Sequence, residues 1–299
     1  MSTSSRSSFL LLVVAGVCWG TGGVTGRALG EAGGVPAPAV AAYRLLIGGG
    51  LLVALLLCVR RWPRGGTAWR RVLAVAALAA AFQASYFCAV AVSSVTVATL
   101  VAIGSAPILV VGADAVRSRT MPRWAAVRPV AVGVAGLALL VGAPTGATPA
   151  GTVLSVGAGA GFALLTLLGR RPVEGLDEAT TTGYAFLLGG TALATGIAVL
   201  PGSAADLHVA LGVGTVSLLV LLGTVPTALA YTLFFRGLRS SSAATATVVA
   251  LLEPLTATVL AVSLLGERLG TSGAAGAVLL LVSVVDSGRP TASVATLPS

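Results

Sequence analysis

Ten apolar runs of close to membrane-spanning length take up nearly the whole 299-residue chain. About 20 apolar residues carry a helix across the hydrocarbon core of a bilayer. The runs fall at 9–29, 37–59, 69–92, 94–114, 124–142, 149–169, 180–200, 210–235, 243–265 and 270–287, and each is expected to be a transmembrane helix. Two stretches must be divided, at Ser93-Ser94 and around 236–242. Left whole, each would run well past about 40 residues, too long for one span even when tilted. Charged residues make up 9% of the chain. A soluble globule carries about 25%, so this chain cannot cover a water-facing surface, and neither a soluble enzyme nor a disordered chain fits. With short links, no room is left for a separate soluble domain.

The net charge of +9 comes from arginine alone, since all 18 basic residues are arginine. They sit mostly in the links, as in juxtamembrane segments that face anionic lipid, which sets aside a nucleic-acid groove. With the N-terminus inside, Arg6, Arg60, Arg61, Arg64, Arg70, Arg71, Arg117, Arg119, Arg123, Arg128, Arg170, Arg171, Arg236, Arg239 and Arg289 all fall at cytoplasmic ends. Arg27 and Arg268 fall outside, and Arg44 lies within a span. That bias places both termini in the cytoplasm of a multi-pass cell-membrane protein. Arg6 and the apolar run from Phe9 could pass for a secretory signal. The run continues past Thr21 with no clear cleavage site, so it is taken as a retained first helix. Cys18, Cys58 and Cys88 lie in apolar runs without paired or metal-like spacing, and the single histidine, His208, lies in a link. No metal or cofactor is expected.

The two halves are related. Trp19-Gly20 followed by Arg27 parallels Phe162-Ala163 followed by Arg170, and the run from Tyr43 to Leu57 parallels Tyr184 onward. Ser93-Ser94 through Ala106-Pro107 parallels Ser240-Ser241 through Glu253-Pro254 at one fixed offset. The expected organisation is a five-helix repeat at 1–145, a second at 146–289, and a cytoplasmic tail at 290–299. Five spans is an odd number, so consecutive repeats enter the membrane in opposite senses, a design common in secondary transporters. The expected fold is all-α, with ten transmembrane helices in two inverted five-helix repeats.

Three groups of residues carry a family resemblance over essentially the full length. The first is Cys18-Trp19-Gly20-Thr21 with Ala42-Tyr43-Arg44-Leu45. The second is Tyr231-Thr232-Leu233-Phe234-Phe235. The third is Leu251-Leu252-Glu253-Pro254 followed by Leu265-Gly266-Glu267-Arg268-Leu269. In these the chain resembles the EamA-type drug/metabolite transporters. The resemblance implies export of small organic molecules, often amino acids or other metabolites. The first repeat departs from the second, with Ala106-Pro107 opposite Glu253-Pro254 and Ala185 opposite Arg44. The polar equipment is therefore asymmetric.

Glu253 sits near the middle of its span. A charge there costs roughly 2.5–3.5 kcal/mol on insertion scales. That cost is tolerable where the group faces a wet cavity or takes up a proton. The plain alternative is a protonated side chain bonded to a neighbouring helix. Pro254 and its counterpart Pro107 each remove one helical hydrogen bond, freeing the carbonyls of Ala250 and Ile103, and mark candidate kinks. Arg44 lies about 10 Å of helix inside its membrane edge. It either snorkels to the interface or binds a substrate carboxylate in a cavity. Gln83 and Tyr86 share a helix face. Together with Trp19, Thr21 and Tyr231 they are candidates to line a pocket, or else ordinary helix–helix contacts. Glu267-Arg268 is a candidate gate, or a surface ion pair. Gly22, Gly26 and Gly30, and likewise Gly157 with Gly161, have the spacing of close-packing faces.

These features point to a transporter working by alternating access on a small-molecule substrate, with protons as candidate coupling ions and lipid as its surroundings. An intramembrane enzyme would need paired aspartates, a His-Glu cluster or a Ser-His pair, and the spans hold none. A multidrug exporter of cationic compounds remains open, although aromatic residues are 5% of the chain. So does a receptor or scaffold that moves nothing.

Overall fold

Hydrocarbon offers backbone N–H and C=O groups no partner, so a chain this apolar must satisfy them within helices. The computed structural model describes residues 3–142, 145–210, 212–266 and 268–289. The helices are α1 (Thr3–Gly33), α2 (Ala37–Cys58), α3 (Gly65–Val92), α4 (Val95–Ser118), α5 (Trp124–Val141), α6 (Pro149–Gly169) and α7 (Glu178–Val199). They continue with α8 (Val213–Gly223), α9 (Ala230–Leu238), α10 (Ala243–Val249), α11 (Leu252–Leu265) and α12 (Thr271–Ser287). A six-residue π-turn, Thr224–Leu229, joins α8 to α9 without leaving the span. A short 3₁₀ turn, Ala204–Leu207, precedes α8. Among the described residues the fold is all-helical apart from one isolated bridge, Val173 with Leu176.

Among the described residues, nine helical segments are long and apolar enough to cross a membrane, and α12 is a shorter apolar helix of 17 residues. The two expected splits occur, and each is fixed by a cap. Ser94 Oγ accepts from Val97 N–H at 3.2 Å, and Ser242 Oγ accepts from Thr245 N–H at 2.9 Å. Such capping satisfies an N–H that has no partner in the helix below it. Leu10, Leu55, Val153, Leu264 and Val285 point outward and are exposed, as expected of side chains that meet lipid tails.

In lipid, helices associate through close packing, which small residues permit. The two most extensive helix pairs, α2 with α7 and α5 with α12, both rest on glycines facing backbone. A Cβ at Gly49 would overlap the backbone nitrogen of Leu187, and one at Gly190 would lie 2.7 Å from that of Leu46. Across the other pair, a Cβ at Gly136 would lie 2.9 Å from Leu280 N, and one at Gly276 would overlap Leu140 N. Ser283 Oγ adds a 2.7 Å bond to the carbonyl of Pro129.

The expected glycine faces are only partly such contacts. Gly22, Gly26 and Gly30 line a cavity, Gly22 while also packing on Pro226 (3.2 Å from an added Cβ), and closer approaches on α1 are made by Gly16 and Gly20 against α10 and α11. On α6, Gly161 packs tightly on Phe82, whereas Gly157 is only in loose contact with Ser85. Four-residue spacing puts glycines on one helix face, but it does not decide whether a neighbour fills that face.

One end of the bundle is stitched by arginines. Arg71 donates to the carbonyls of Leu168 (2.6 Å) and Arg171 (2.8 Å) at the end of α6, where a cation suits the helix dipole. Arg61 pairs with Asp177 at 3.5 Å, and Arg239 pairs with Glu178. Arg128 pairs with Asp286 between α5 and α12.

The packing makes a direct prediction. Gly49→Ala should destabilise the protein by about 1–3 kcal/mol, because the α2–α7 backbones must separate. Gly196→Ala, whose added methyl meets nothing within 4 Å, should leave stability level or slightly raised. Thermal unfolding of the purified variants measures both, and equal effects at the two positions would contradict the close-packing account.

Candidate functional site

Two backbone irregularities create the site. The first is the break between α10 and α11. Pro254 has no N–H to give to Ala250, and that carbonyl instead accepts from Glu253 N–H at 3.0 Å. The ladder is interrupted at Ala250–Leu251, within one turn of the Glu253 carboxyl. Pro107 has no such effect on the helical pattern, since α4 stays helical from Val95 to Ser118. Of the two candidate kink positions, the one at Pro254 adjoins a break, whereas the helix continues through Pro107.

The second irregularity is the π-turn at Thr224–Leu229, with Pro226 inside it. A π-turn widens the helix by one residue, and such turns occur frequently at functional sites. Here it turns polar atoms toward α2. Arg44 Nη2 donates to the Pro226 carbonyl at 3.3 Å, and Arg44 Nε donates to Thr227 Oγ1 at 3.3 Å. Among the described residues no carboxylate lies within 4.0 Å of Arg44. These two bonds tie the half-buried side chain to the π-turn. Nothing in the helical periodicity pointed to Pro226 and Thr227. A proline within an apolar run, flanked by threonines, was the available signal.

Between these features lies a cavity of about 440 Å³. Trp19, Arg44, Gln83, Tyr86, Tyr231 and Glu253 all line it. Its remaining wall comes from the ends of α1 to α4 that lie away from the arginine-stitched end, including Arg27 and Ala37. Thr21 is not in the lining, and its hydroxyl bonds back to the Cys18 carbonyl at 2.7 Å. Tyr86 OH is bonded to Thr99 Oγ1 at 2.8 Å, tying α3 to α4. Gln83 is buried, and neither its amide nor the Glu253 carboxyl has a hydrogen-bond partner among the described residues. A second cavity of about 390 Å³ adjoins the first through Tyr86, Thr99, Ile103 and Glu253, between α1, α4 and α11. Arg268 lies exposed in the link after α11, away from both cavities, and Glu267 lies outside the described residues.

The floor of the cavity is aromatic. Trp19 packs edge-on to Tyr231 (5.0 Å between ring centres) and Phe162 (5.7 Å), and tilted on Phe234 (4.9 Å). Phe186 closes on Tyr231 at 4.6 Å. A composition of 5% aromatic understates the site, because these rings are gathered at one depth. Trp19 is 4% exposed, and its Nε1 has no hydrogen-bond partner among the described residues.

The EamA-like transporter family matches residues 6–142 and again 149–286, so two copies of one unit cover the chain. The chain belongs to that family. It is 32% identical over 281 residues to the uncharacterized transporter YwfM of Bacillus subtilis (strain 168), covering 92% of each chain. A crystal structure at 20% identity superposes with a TM-score of 0.76 over 94% of this chain and 97% of the other, a likeness of fold. This EamA-family protein is a multi-pass membrane transporter with a two-repeat architecture.

The unpartnered indole makes the next prediction. Trp19→Phe removes a buried N–H that bonds to nothing and keeps most of the ring packing, so thermal stability should hold or rise. Trp19→Ala should lose about 3–5 kcal/mol. A marked drop in Tm for the Phe variant would contradict this account of the cavity floor.

Proposed function

We propose that this transporter exports small zwitterionic metabolites, amino acids or close relatives, by alternating access, with Glu253 coupling the movement to protons. One observation carries the reading. A cation and an acid, Arg44 and Glu253, line the same cavity, yet they are not paired with each other. A substrate carboxylate suits Arg44, and a substrate ammonium suits Glu253. A carboxylate that binds either an ammonium or a proton exchanges one for the other, which is the elementary requirement of antiport. Gln83 supplies further donors and an acceptor for a polar substrate.

The repeats are taken as inverted, with ten spans and both termini cytoplasmic. The arginine bias supports this orientation. On that topology the cavity opens outward, while the aromatic floor, the ion pairs of Arg61 and Arg239 and the bonds from Arg71 to the end of α6 close the cytoplasmic side. An outward-open form with a shut inner end is one of the two states that alternating access requires. A second reading, export of cationic compounds, draws support from Trp19, Phe82, Tyr86, Phe87 and Tyr231 in the lining, since ring faces attract cations. Arg44 in the same wall weighs against it.

Everted vesicles energised by respiration test the proposal. Lumenal pH is followed while amino acids, nucleosides and cationic drugs are added. Amino acids are expected to release protons from wild-type vesicles and not from Glu253→Gln vesicles carrying equal folded protein. An identical response in the variant would remove Glu253 from the coupling step. Release by cationic drugs alone would favour the second reading.

A further inference from the structure

We propose that Thr227 is the positioning residue for Arg44, and that it leaves the terminal Nη1–Nη2 edge of the guanidinium as the face offered to a substrate carboxylate. The inference rests on the reading that Arg44 binds that carboxylate, and it specifies how. A guanidinium carries five N–H donors in a rigid planar fork. It can grip a carboxylate by its side edge, through Nε and Nη2, or by its terminal edge, through Nη1 and Nη2. The side edge is already spent here, with Nε on Thr227 Oγ1 and Nη2 on the Pro226 carbonyl. The remaining pair of parallel donors is the terminal edge, which suits bidentate binding.

Thr227 is built to accept. Its own hydroxyl hydrogen goes to the Leu222 carbonyl at 2.8 Å, five residues back. That leaves an oxygen lone pair for Arg44. The residue is fully buried, so no water competes for that lone pair. The base of Arg44 is fixed as well. Gly48, one turn further along α2, lets that helix sit directly on the π-turn. A Cβ there would lie 2.5 Å from the Gly223 carbonyl and 2.9 Å from Thr227 Cγ2. Backbone, hydroxyl and guanidinium thus form one rigid unit, and Thr227 is its only side chain whose chemistry a substitution can change while keeping its shape.

The test uses Thr227→Val, which keeps the shape and loses the acceptor, and Thr227→Ser, which keeps the hydroxyl. The probes are leucine and isopentylamine, which differ only by the carboxylate, and binding is measured on the purified full-length protein. Thr227→Val should lower the leucine-to-isopentylamine affinity ratio by about tenfold, the worth of one charge-assisted hydrogen bond, and Thr227→Ser should restore it. In parallel, a Tm double-mutant cycle with Arg44→Lys should be non-additive, with Thr227→Val costing less once Arg44 is gone. An unchanged ratio, equal loss for both probes, or an additive cycle would overturn the proposal. Failure of wild type to bind leucine would instead count against the proposed substrate class, and the Tm cycle would still decide the Arg44–Thr227 contact.

Discussion

A backbone carbonyl released from its helix inside a membrane must find another donor, and the cost of leaving it unpaired is several kcal/mol. The π-turn at Thr224–Leu229 exposes such a carbonyl at Pro226, and Arg44 supplies the donor. The exchange works in both directions. The irregular turn gives a membrane-buried cation a neutral partner, and the cation gives the irregular turn its missing hydrogen bond. Both hydrogen-bond partners of the cation are neutral. Removing either member would leave the other buried and unsatisfied.

The rest of the site follows from where that unit sits. Glycine contacts bring α2 against α7 and the π-turn, which fixes Arg44 on one side of the cavity. On the other side, the break before Pro254 sets Glu253 at the start of α11, and α1 approaches it closely through Gly20, whose added Cβ would lie 2.8 Å from the Glu253 carbonyl. The aromatic cluster of Trp19, Phe162, Tyr231 and Phe234 fills the space beneath. Arg44, bonded to the π-turn, and Glu253, beside the break, therefore line the same cavity.

Much of this was legible in the chain. Run lengths gave the spans because hydrocarbon thickness sets helix length, and two runs too long for one span had to be divided, at Ser93-Ser94 and around 236–242. Glu253 and Arg44 stood out because charge within a span is costly. What stayed hidden concerns direction. A helix apolar all round carries no stripe to say which side meets lipid, so Gly26 and Gly30 looked like a packing face and line the cavity. Thr21 looked like a lining residue and bonds to its own helix. Thr227 drew no notice because a threonine's role depends on what crosses it, and Arg44 lies 183 positions away in sequence.

In the proposed mechanism, one cavity reads two opposite charges on one small molecule. Equilibrium binding of three matched ligands to the purified wild-type protein tests it most directly: a hydrophobic amino acid, its methyl ester, and its N-acetyl derivative. The ester lacks the anion and the acetyl form lacks the cation. The account predicts that the amino acid binds best and that each modification weakens binding by at least about tenfold, the scale of one lost charge-assisted contact. An ester that binds as tightly as the parent amino acid would contradict it.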